Sequence, residues 1–124
     1  MSDIFKLAIQ AVASYYVLIS IVLLAIITVL SLSPLSDLPD VGGGDKLHHL
    51  IAYMGLALPV AIKGRSRWVW ILVFYLAWSG AIELVQPSMN RYAEWADFII
   101  NGAGLILGAI IGSSLRKVFL KINT

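Results

Sequence analysis

Between Lys6 and Asp37 no charged residue interrupts the chain, and SYYVLISIVLLAIITVLSL, at about 14–32, is continuously apolar apart from hydroxyl side chains. That length matches the roughly 20 residues with which a helix crosses hydrocarbon, and it predicts a first spanning helix. A cleavable signal peptide fits poorly: Lys6 alone would supply the positive flank, the apolar run is too long, and further spans follow. Pro34, Pro39 and the triplet Gly42, Gly43 and Gly44 then break any helix, with Asp37 and Asp40 keeping the loop in water. A second span is expected at about 45–62, followed by the short basic loop KGRSR. A third, at about 68–85, ends at Gln86 and Pro87. After the polar turn SMNRYAEW, a fourth is expected at about 93–115.

The cations set the topology. Lys6, the group Lys63, Arg65 and Arg67, and the group Arg116, Lys117 and Lys121 fall on one side, against Lys46 and Arg91 on the other. The positive-inside rule puts the richer side, and with it both termini, in the cytoplasm. Four spans satisfy that parity. The expectation is an all-α integral membrane four-helix bundle, one domain over 1–124, in the inner (plasma) membrane. Trp68, Trp70 and Trp95 lie where aromatic rings favour the interface. Composition agrees: 60% of residues are hydrophobic and 13% charged, against roughly 25% charged in soluble domains. A net charge of +2, with the cations spread along the edges of apolar runs, gives no case for nucleic acid. The absence of cysteine removes disulfides, thiolate nucleophiles and Cys-based zinc sites.

The polar residues inside the spans are patterned. Asp45, His49 and Tyr53 are four apart, so they form one stripe descending about 12 Å into the second helix, with His48 about 100° off it. Glu83 and Gln86 share a face near the end of the third helix. Asp97 and Asn101 share one on the fourth, prolonged by Gly104, Gly108 and Gly112. Three helices thus present polarity at the same outer depth, where ionisable groups are costly unless paired or wetted and usually mark function. Each also has a plainer role. Asp45 can cap its helix, Lys46 can reach to headgroups, and Glu83, Asp97 and Asn101 can simply bond helices together. Arg91 can be a counter-ion for Glu83, Glu94 or Asp97. GLILGAIIG is a small-xxx-small ridge for close helix approach, and a face through which an oligomer would form.

The run DKLHHLIAY, together with ELVQPSMNRYAEWADFIINGAGLILG, resembles the two separated motifs of the VanZ-like family, small multi-span membrane proteins named for a teicoplanin-resistance protein. The resemblance covers Gly44 to Gly112. It assigns the family's characteristic residues to Asp45, Lys46, His49, Tyr53, Glu83, Gln86, Arg91, Asp97, Asn101, Gly104 and Gly108; His48 and Glu94 fall outside the pattern. The resemblance imports no biochemical activity and no cofactor.

The residues themselves support an outward-facing pocket for membrane lipids or a lipid-linked envelope precursor. There His49, Glu83 and Asp97 would act as acid, base and orienting groups, while Asp45, Lys46, Tyr53, Gln86, Arg91 and Asn101 would bind. Alternatives are a non-catalytic protein binding a drug or headgroup, and a structural partner of other membrane proteins. A metal could draw on His49, Glu83, Asp97 and Asp45, but no local ligand spacing supports one.

Overall fold

In the computed structural model, residues 2–33, 45–89 and 93–120 are described. They form five α-helices: α1 (Ser2–Ser14), α2 (Tyr16–Leu32), α3 (Asp45–Lys63), α4 (Trp68–Val85) and α5 (Trp95–Leu115). A 3₁₀ turn, Gln86–Met89, extends α4, and a π turn, Arg116–Leu120, extends α5. No strand occurs among the described residues. Arg91, the glycine triplet and the side chain of Asp45 lie outside them.

Helix α3 is the centre of the molecule. Leu56, Ala57, Val60 and Ala61 are buried along its lower half, where α2, α4 and α5 contribute Ile27, Tyr75 and Leu105 to the same core. Pro59 sits inside α3 and leaves the Gly55 carbonyl without its usual intrahelical donor. Gly55 has open space around its α-carbon, which gives the turn room to adjust. The helix stops at Gly64, whose positive φ of 58° suits glycine and whose N–H closes onto the Val60 carbonyl at 2.9 Å. Arg67, also left-handed at φ 64°, completes the turn into α4.

The closest packing joins α3 and α5, which run parallel. A Cβ on Gly104 would sit 2.6 Å from the Leu50 carbonyl oxygen, one on Gly108 would overlap the Met54 carbonyl oxygen, and one on Gly112 would lie 2.6 Å from Ala61 Cβ. Equal four-residue steps on both helices keep the two backbones in register. The glycine ridge is therefore spent within the chain. An oligomer contact through Gly104, Gly108 and Gly112 has no free surface there, because α3 already covers all three.

Two features differ from the sequence expectation. The first helix was expected at about 14–32; it begins instead at Tyr16, and the preceding residues form α1, set at 75° to α2. Length and apolarity sufficient to cross a membrane hold for two helical stretches, Trp68–Met89 and Trp95–Leu120, and for α1 and α2 only as a bent pair. Helix α3 falls short of that standard, because the site it carries places Asp45, Lys46, His48 and His49 in its first turns. The outer surface is nevertheless apolar, with Leu18, Ile21 and Val29 of α2 and Ile99, Ile106 and Ile110 of α5 exposed.

Candidate functional site

The first turns of α3 and α5 lie side by side, and there the polar residues meet. Lys46 Nζ donates to Glu94 Oε2 at 2.8 Å and to Asp97 Oδ1 at 3.2 Å. The other Asp97 oxygen, Oδ2, stands 3.8 Å from His49 Nε2. On the far side of the imidazole, His49 Nδ1 lies 3.0 Å from Asn101 Oδ1, and Asn101 Nδ2 donates to Ser79 Oγ at 2.9 Å. With the Asn101 amide nitrogen committed to Ser79, its oxygen accepts from Nδ1–H. That leaves Nε2 as the ring nitrogen facing the carboxylate. Two hydrogen-bonded pieces, Lys46 with Asp97 and His49 with Asn101 and the completely buried Ser79, thus face each other across the 3.8 Å between Asp97 and His49.

Spacing explains the convergence. His49 stands one turn below Asp45 and on the Tyr53 face; Asp97 and Asn101 stand one turn apart on α5. The glycines beneath bring α5 close enough to α3 for these short side chains to touch. Tyr53, also buried, lies behind the row of polar groups with its hydroxyl near Ser79 and Glu83, so it supports the site from below and has no access to the surface.

Glu83 is buried at 3% exposure near the end of α4, where its Oε2 accepts the Glu94 backbone N–H at 3.1 Å. This contact anchors α4 to the segment entering α5. Beside it a half-open cleft of about 190 Å³ is walled by Glu83, Leu84, Pro87, Ala93, Glu94 and Trp95. Gln86 turns away from that group: its Nε2 donates to the Ser31 carbonyl at 3.1 Å, tying the end of α4 to the end of α2. A second tie between these helices is the Trp78 indole N–H, which donates to Thr28 Oγ1 at 2.9 Å.

The structure therefore gathers Lys46, His49, Asp97 and Asn101, places Glu83 beside them, puts Tyr53 beneath, and gives Gln86 a structural partner. His48 is exposed and off the stripe. Two participants were missed in the sequence. Ser79 could have been found, since it stands four residues before Glu83 on the same face of α4. Glu94 carries the shorter contact to Lys46, and the Lys46 ammonium, by hydrogen bond and then by charge, holds its carboxyl below the usual range. No group of three His, Asp or Glu residues among those described is placed to hold a metal ion.

Neither the curated proteins nor the solved structures contain a match to this chain. The family comparison does: the VanZ/LLP1 model matches residues 4–116, from α1 through the last turn of α5, and so takes in both halves of the polar row and the glycine ridge under it. By that match the protein belongs to the VanZ/LLP1 family.

Proposed function

We propose that the chain crosses the inner membrane with α2, α3, α4 and α5, both termini cytoplasmic, and that its outward-facing polar end binds or modifies the headgroup of an envelope lipid or lipid-linked precursor. Lys63, Arg65, Arg67, Arg116 and Lys117 lie at the opposite end, as the positive-inside rule requires of the cytoplasmic side. The observation that carries the reading is the row of polar groups that descends from exposed Lys46 to buried Ser79, adjoining the cleft beside Glu83 and built into apolar helices. Polar groups at membrane depth are costly and concentrate at functional interiors.

His49 has Nδ1 fixed by Asn101 and Nε2 facing Asp97 at 3.8 Å, so the ring is oriented toward a carboxylate that stands beyond direct hydrogen-bond reach. Two carboxylates wall the cleft, the exposed Glu94 and the buried Glu83, the latter held by the Glu94 backbone N–H. Lys46, expected to bind the ligand, already shares its charge between Glu94 and Asp97. A ligand phosphate would have to displace one of them.

In cells lacking the native protein, variants Glu83→Gln and His49→Ala at wild-type abundance are expected to change the extracted envelope lipids and, where a precursor is the ligand, glycopeptide susceptibility. Unchanged lipids, susceptibility and lipid binding by purified protein would overturn the proposal. One observation favours a structural reading: the polar groups bond largely to one another across α3, α4 and α5. On that reading His49→Ala lowers thermal stability and leaves lipid binding by the surviving folded protein intact.

A further inference from the structure

We propose that α1 is an interfacial helix lying along the cytoplasmic headgroup layer, its outer apolar stripe inserted into an anionic leaflet. The geometry begins with the bend: α1 is inclined at 75° to α2. If α2 follows the membrane normal, α1 lies close to the membrane plane. The inference rests on α2 spanning the membrane, as proposed above.

Its location fits that depth. Ile9 and Ala13 pack on Ile62 at the end of α3, on Leu115 at the end of α5 and on Phe119 beyond it, and the Phe5 and Phe119 ring centroids are 5.1 Å apart. Helix α1 therefore crosses the end of the bundle where Lys63, Arg65, Arg67, Arg116 and Lys117 are found.

At 100° per residue, α1 has three faces. Ile9 and Ala13 point inward and are buried. Asp3, Lys6, Gln10 and Ser14 make a polar face. Between them lies a second apolar stripe of Ile4, Leu7, Ala8 and Ala11, with Ile4 74% and Leu7 64% exposed. A helix needing only to cover the bundle has no use for that stripe. Across the bend, α2 opens with the likewise exposed Val17, Leu18 and Ile21. The surrounding cations, with Asp3 as the acidic residue of α1, complement anionic headgroups and argue for lipid over a second copy of the chain.

The sequence contains no cysteine, so spin labels can be placed one at a time in the full chain. Labels at Ile4→Cys, Leu7→Cys, Gln10→Cys and, on α2, Ile21→Cys and Ile26→Cys would be read in vesicles of phosphatidylcholine with and without phosphatidylglycerol. Collision with oxygen against a water-soluble nickel complex reports depth. The expected result is shallow burial at Ile4 and Leu7, water exposure at Gln10, deep burial at Ile26, and several-fold stronger nickel protection of α1 when phosphatidylglycerol is present.

Depth rising steadily from Ile4 through Gln10 would make α1 part of a bent span and overturn the proposal, as would full water exposure of Ile4 and Leu7. Spin–spin broadening between α1 labels would assign the stripe to a second copy, and indifference to phosphatidylglycerol would overturn the anionic partner. Water exposure at both α2 sites would instead remove the spanning reading, so the two failures are distinguishable.

Discussion

Helices α3 and α5 meet twice, and by different means. Near Asp97 the contact is polar: His49 and Asn101 exchange a hydrogen bond, and Lys46 bridges to Asp97. About two to four turns below Asp97, the side chains vanish and Gly104, Gly108 and Gly112 receive the backbone of α3 and the methyls of Ala57 and Ala61. Among lipid tails there is no hydrophobic gain from pairing helices, so contact must come from dispersion at close range or from hydrogen bonds. The lower seam uses the first and has nothing to titrate or exchange. The upper seam uses the second and holds groups that can titrate or exchange partners. The tight seam below also fixes the distance at which the short side chains above can touch.

Substitutions can separate the two halves. The largest effect is expected at Gly108, where any Cβ collides with the Met54 carbonyl oxygen. Gly108→Ala should cost about 1–3 kcal/mol, and Gly108→Leu should prevent recovery of folded protein, both read by thermal unfolding in detergent. Because the lower seam sets the upper one, Gly108→Ala should also weaken lipid binding; normal binding would show that the halves are independent. Next comes Asn101→Leu, which removes the partners of both His49 and Ser79. Two membrane hydrogen bonds at about 0.6 kcal/mol each predict a loss of about 1 kcal/mol, with a larger functional loss because the imidazole is no longer oriented.

Ser79→Ala deletes the far end of the row and should cost about half as much in the same melt. Its effect on lipid binding should be smaller than that of His49→Ala. The smallest effect is expected at the exposed rim. Lys46 lowers the Glu94 carboxyl's pKa in the folded state, so the stabilisation it reflects is present above the ordinary carboxylate range and disappears as pH falls through the lowered value. Melting of wild type and Glu94→Gln should differ slightly at neutral pH and converge in acid.

Several of these features could be read before any coordinates. The four-residue spacing of Asp45, His49 and Tyr53, and of Asp97 and Asn101, put them on common helix faces. The glycine ridge announced a close helix contact. Helix α1 escaped notice because the search for a continuous apolar run starts after its polar residues, and its pattern has two apolar stripes separated by a charged one. Ser79 escaped because a serine among apolar residues carries no charge to draw attention. The reach of Gln86 toward α2 was not legible, because its distance from Glu83 gives a shared face but not a direction.

The sequence alone determined the helical, apolar character of the chain and which residues share a face, because those follow from local periodicity and composition; its two separated motifs carried the family resemblance. Tertiary structure decided partners. It matched Lys46 to Glu94 as well as Asp97, spent the glycine ridge on α3, buried Tyr53 below the site, and laid α1 across the basic end. A helix's period fixes the direction of each side chain relative to its own axis; only packing fixes where the neighbouring axis runs and what the side chain meets.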